Sequence, residues 1–351
     1  MVREANWDFF KTVLMFFIVF GHICPEDPET WTPVTRIIGL FAIPLFFFIS
    51  GFFQSRVAGF DALIDRYKRN LFRIVVPMLS WGVLYMILTS FKYFDGFSNF
   101  AAILSFYKYT PFYITGFYWF LTALIFCQVF SSLLYLVINY KKKIGIVLLF
   151  ISFPFFICLP PNLIEHYNFS FIWFFYGLGI LYRQFGKNRL QYQYNFTIQF
   201  FMAIITIVLL MGIGVHFMPS ETFYYKSNLL SETSVSFIIM RYSLYFTVSL
   251  IVLFWMHQCY RRFKDKMFML SLASWGKDTL FIYCSHMIIL EFIYKPYILP
   301  LLFHENGSIF DRLIEHMIGL ILSLILYWVL QFMCVYLKRF KWARSLFMGI
   351  K

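Results

Sequence analysis

Charge is scarce along these 351 residues, with Asp, Glu, Lys and Arg together making up 13%. A soluble domain carries about 25%. Apolar side chains reach 61% and aromatics 23%, which excludes a surface solvated by water on all sides. Acidic residues are scarcer still, 17 against 30 Lys and Arg, for a formal charge of +13. Pro/Ser-rich linkers, fixed-period repeats and low-complexity tracts beyond a general excess of Phe are also missing, so no boundary divides the chain. One integral membrane domain over residues 1–351 is the expected organisation. The six cysteines form no CxxC pair and the seven histidines no HxxxH or HExxH pattern. A disulfide framework and a metal site therefore lack support, and the cysteines read as core residues.

What is present is a recurrence of apolar blocks of about 18 to 22 residues, the length that crosses a bilayer. Helices are predicted near 7–24, 36–55, 74–91, 117–139, 144–160, 169–183, 194–215, 234–258, 276–295 and 314–337. The expected fold is all-α and polytopic, with about ten transmembrane helices. Residues 100–116, broken by polar side chains and Pro111, read as an interfacial excursion. Basic residues mark every second loop: Arg56 to Arg73, Lys141 to Lys143, Arg183 to Arg189, Arg261 to Lys266, and the tail from Lys338. By the positive-inside rule both termini are then cytoplasmic, and the charge needs no nucleic-acid partner. The first apolar segment has no small-residue cleavage site and reads as a retained span.

That first segment, "NWDFFKTVLMFFIVFGH" from Asn6 to His22, places a lysine and a histidine in an apolar run. Lys11 and His22 are eleven residues apart, which on a helix brings them to within roughly 20° of one face and about 16 Å along the axis. Only a long substrate would touch both. Asp8, three residues before Lys11, is placed to pair with it near the cytoplasmic interface, which does not prevent the lysine from facing a phosphate. His22 reads either as an interfacial histidine or as a general base facing a wet cavity, since imidazole changes charge near neutral pH. Arg66, Arg69 and Arg73 follow an i, i+3, i+7 spacing. They read either as ordinary topogenic charge or as a stripe for a cytoplasmic polyphosphate, which arginine binds with paired donors. Arg241, inside the eighth span, calls for a partner such as Glu232 or Glu291, or faces a substrate. Tyr118 and Trp119 suit an interfacial belt or stacking on a sugar ring.

Four features occur in order: Asp8, Lys11 and His22 as D-x-x-K and a later His; "FFFISGF" from Phe46 to Phe52; R-x-x-R and "RIVVP" at Arg66, Arg69, Arg73 and Pro77; and "YWFL" from Tyr118 to Leu121. A weaker fifth is "SWGKDTLFIYCSH", Ser274 to His286. In this combination the chain resembles the acyltransferase-3 family of ten-span membrane acyltransferases, which move acetyl or related groups to cell-surface carbohydrates. The resemblance covers nearly the whole chain, although Lys277, Asp278 and Thr279 make the late segment unusually polar. It implies that Lys11, Arg66, Arg69 and Arg73 hold an acyl-coenzyme A, acetyl-coenzyme A or a relative, used as a substrate rather than a bound cofactor. His22 would be the catalytic residue. Trp119, Arg241 and His286 would be acceptor-side or structural, the acceptor a carbohydrate or lipid-linked sugar, and the location a bacterial inner membrane. The alternative is a polysaccharide or lipid transporter, against which stands the lack of correspondence between the segments on either side of about residue 170.

Overall fold

The computed structural model describes residues 5–24, 33–54, 57, 59–93, 119–140, 144, 147–152, 169–183, 196–215, 235–302 and 309–350. Among them the secondary structure is helical, with no strand. A chain dissolved in lipid must satisfy each N–H and C=O within its own segment, which an α-helix does. The helices are α1 (Ala5–Ile23), α2 (Pro33–Phe52), α3 (Phe60–Asn70), α4 (Val76–Tyr93), α5 (Trp119–Tyr140), α6 (Phe169–Leu181) and α7 (Phe196–Val215). They continue with α8 (Val235–Phe263), α9 (Met267–Trp275), α10 (Thr279–Ile289), α11 (Leu299–Leu302), α12 (Ile309–Leu337) and α13 (Lys341–Met348).

Among the described residues four helical stretches are long and apolar enough to cross a membrane: Phe60–Lys92, Trp119–Val137, Ile239–Phe263 and Ile314–Leu337. Ile37–Phe52, Phe171–Leu181 and Thr197–Thr206 are shorter apolar helices. Side chains such as Leu79, Val83, Phe126, Leu133 and Phe332 stand exposed on the long helices. Exposed apolar faces of this extent suit lipid contact and not water, and the chain is an integral membrane protein. The expected fifth span and the 100–116 excursion lie mostly or wholly outside the described residues.

Two boundaries differ from those read in the sequence. The helix that carries the third span, expected from residue 74, begins at Phe60, because α3 runs through a π-helical turn, Leu71–Val75, directly into α4. Pro77 supplies the reason: it lacks an N–H and its ring crowds the carbonyl of Arg73, and a wider turn accommodates both. The ninth, expected from residue 276, begins at Thr279, with the separate helix α9 ahead of it. After Ile289 it continues as a π-helix, Leu290–Ile298, that contains Pro296.

The helices fall into two compact units. The first comprises Met1–Ser55, Ile146–Lys277 and His316–Ser323, the second Arg56–Gly145, Asp278–Glu315 and Leu324–Lys351. Within the first, α2 packs on α1, α6, α7 and α8, and α1 packs on α9. Two glycines make the α2–α6 approach close. A Cβ on Gly51 would stand 1.9 Å from the Tyr176 carbonyl oxygen, and one on Gly179 would stand 2.0 Å from that of Phe48. The glycine of "FFFISGF" is therefore a packing requirement. Within the second unit, α4 packs on α10 and α13, and α3 on α5.

Candidate active site

The D-x-x-K element sits on the first two turns of α1. Asp8 is buried, at 3% exposure, and its Oδ1 lies 3.3 Å from Lys11 Nζ, so the expected pair forms. The ammonium also lies 4.8 Å from the centre of the Phe53 ring, just beyond α2. A carboxylate on one side and a π face on the other fix where this charge points. Two contacts hold α1 against α9 at the same level. Thr12 donates its hydroxyl to the Leu272 carbonyl at 2.6 Å, and a Cβ on Gly276 would stand 1.8 Å from the Asp8 carbonyl oxygen. The glycine of "SWG" thus lies against the aspartate of D-x-x-K, joining two motifs that the sequence separates by most of its length.

His22 occupies the last turn of α1 and is half-buried. One helix, Ala5–Ile23, carries both it and Lys11, as the spacing required. Beside it, a Cβ on Gly21 would stand 3.8 Å from the Ile38 side chain of α2, and one on Gly319 of α12 would stand 3.6 Å from the side chains of Ile23 and Phe20. The residues that follow α1 from Pro25 to Thr32 lie outside the described residues.

The three arginines of the stripe have different surroundings. Arg66 is buried at 7% exposure, and its Nη1 donates to Ser132 Oγ of α5 at 3.3 Å. Arg69 and Arg73 are exposed, and neither forms an ion pair with a described residue. Arg66 thereby ties α3 to α5, whereas the other two present free charge.

Arg241 is fully buried on α8 with its guanidinium 5.9 Å from the centre of the Tyr245 ring. Glu291 pairs with Lys295 at 3.4 Å, and Glu232 lies outside the described residues. His286 is also fully buried. Its Nδ1 lies 2.9 Å from the Ile282 carbonyl, so Nδ1 carries the proton and donates it there. Trp119, half-buried, opens α5 with its ring 6.2 Å from that of Phe120, and Tyr118 lies outside the described residues. Cys24, Cys127, Cys284 and Cys334 are buried as expected, whereas Cys259 is exposed.

Two structural roles escaped the sequence. Arg183, counted as loop charge, donates to the carbonyls of Phe52 at 3.3 Å and Gln54 at 2.8 Å, satisfying the open end of α2. Asp278, part of the unusually polar late segment, accepts from Lys338 at 2.5 Å and from Gln331 at 2.9 Å. The polarity there is a lock between α10 and α12. A carboxylate beside a span start was a signal for such a partner, but its identity, some sixty residues on, was not.

An all-helical membrane protein with a paired lysine and a histidine on one helix face is the class these features define. A family profile described as an acyltransferase domain matches residues 4–342, and the chain belongs to the acyltransferase-3 family. It is 23% identical over 292 residues to the nodulation protein NolL of Mesorhizobium japonicum, across 80% of this chain and 75% of that one. To the nodulation protein NolL of Sinorhizobium fredii it is 28% identical over 131 residues, covering 35% of this chain and 34% of the relative. No solved structure matches.

Proposed function

We propose that this membrane acyltransferase moves an acetyl or similar acyl group from cytoplasmic acyl-coenzyme A to a hydroxyl of a cell-surface or lipid-linked carbohydrate. The observation that carries the reading is α1 itself, a single helix with Lys11 held in place near one end and His22 at the other. An acyl-coenzyme A has phosphates at one end and a thioester at the other, and its length suits a separation of about 16 Å. Lys11 takes a phosphate, with Arg66, Arg69 and Arg73 as the remaining donor-binding groups. His22 accepts the proton of the sugar hydroxyl as its oxygen attacks the thioester carbonyl. Collapse of the tetrahedral intermediate breaks the C–S bond and releases coenzyme A, whose sulfur takes up a proton, leaving the sugar ester. Trp119, Arg241 and His286 serve the acceptor side or the frame around it. The protein spans the bacterial inner membrane about ten times with both termini cytoplasmic.

The test is transfer of radiolabel from acetyl-coenzyme A to lipid-linked and soluble sugars by the purified protein. Label should reach a carbohydrate hydroxyl. Label that stays on the thioester with every acceptor would sink the reading.

A further inference from the structure

Three side chains near the end of α8 bury nitrogen atoms that meet no acceptor among the described residues. His257 is 5% exposed, and its Nε2 is buried without a hydrogen-bond partner. The same holds for Gln258 Nε2 and Arg261 Nη1. At i, i+1 and i+4 the three occupy an arc of about 100° on the helix. Each is a donor once the imidazole carries its proton on Nε2. Buried donors are nearly always matched, so three on one arc point to a group that brings acceptors.

The surroundings are cationic and aromatic. The His257 ring stands edge-on to Phe10 at 4.6 Å and to Trp7 at 5.7 Å between centroids. Trp7 packs on Phe53 at 6.2 Å, and Phe53 lies under the Lys11 ammonium. Trp7 and Lys11 are four residues apart and share a stripe of α1. His257 and Lys11 therefore flank one aromatic pair, and the neighbouring carboxylate, Asp8, is already engaged with Lys11. Gln258 and Arg261 are half-buried, so the arc opens towards the end of α8. Amide, imidazole and guanidinium donors beside an ammonium match a phosphate, which offers acceptors and negative charge together.

We infer that His257, Gln258 and Arg261 form a phosphate site; its assignment to a phosphate of the acyl donor rests on the function proposed above. A phospholipid headgroup offers the same chemistry, and the experiment separates the two. Coenzyme A and pyrophosphate binding are measured on the full-length protein in dodecyl maltoside micelles, which carry no phosphate, for the parent, Arg261→Gln, Arg261→Lys and Gln258→Ala. Arg261→Gln should weaken coenzyme A binding roughly tenfold or more, and Arg261→Lys, which keeps the charge, should restore part of it. The lysine variant also separates loss of binding from loss of folding. If added phosphatidylglycerol competes with coenzyme A in the parent but not in Arg261→Gln, the site stands with a lipid as its occupant. If the parent binds pyrophosphate through Arg261 but does not bind coenzyme A, the site stands and the donor reading falls. If Arg261→Gln and Gln258→Ala bind both probes as the parent does, water fills the arc and the inference is overturned.

Discussion

At His22, burial and chemistry separate cleanly. The ring is half-buried on the last turn of α1, so His22→Ala removes little packing while deleting the proposed base. Turnover should fall by about 10²–10⁴-fold with an unchanged melting profile, since that is what a positioned base contributes. Normal turnover of the purified variant would refute the role. The arginines admit a sharper comparison than their spacing suggested. Arg66→Ala strips a buried partner from Ser132 and should lower stability by about 1–2 kcal/mol as well as weaken donor binding. Arg69→Ala, at an exposed position, should weaken donor binding and leave the melting profile alone. Thermal unfolding and coenzyme A titration read the two effects separately. Equal donor affinity in Arg69→Ala and the parent would leave topogenic charge as the better account of that residue. The spacing placed these residues on one helix, but it could not say that α5 would take Arg66 and leave the others. That outcome depends on Ser132, whose proximity is a tertiary fact.

Between elements, the close approaches are made by backbone. Any Cβ on Gly179 meets the Phe48 carbonyl, and a carbonyl within α2 cannot swing aside as a flexible side chain does. Gly179→Ala should therefore cost about 1–3 kcal/mol through displacement of α6 from α2. Gly59, where an added Cβ would meet nothing within 4 Å, is the control, and Gly59→Ala should unfold at the parent's temperature. Equal melting for both variants would show that α2 and α6 do not pack through glycine. The lock at Asp278 behaves differently. Asp278→Ala leaves Gln331 and Lys338 without their acceptor and should destabilise by about 1–3 kcal/mol, more than Lys338→Ala, because Lys338 reaches solvent. "FFFISGF" was legible as a motif and its glycine was visible. Its counterpart was not, because Gly179 lies in an apolar run where no local pattern marks a crossing. Helix α9 was missed for a related reason: nine residues between two polar turns fall below the length at which hydropathy announces a span.

Across the whole molecule, composition carried the membrane assignment, and the family match from residue 4 to 342 carries acyl transfer. Charge placement along the loops supplies direction. In the proposed topology, basic residues on alternate connections would orient the start of α1, with Lys11, towards the cytoplasm and its last turn, with His22, away from it. The proposed function then requires a donor that enters from one side and an acceptor presented deeper in the membrane. The most direct measurement uses proteoliposomes of fixed orientation, with radiolabelled acetyl-coenzyme A confined to one face and a lipid-linked sugar in the bilayer. Label should move to a sugar hydroxyl only when the donor is on the face that carries the basic loops, and His22→Ala should slow that movement by about 10²–10⁴-fold. Transfer that proceeds equally from either face, or that keeps the parent's rate without His22, would contradict the account.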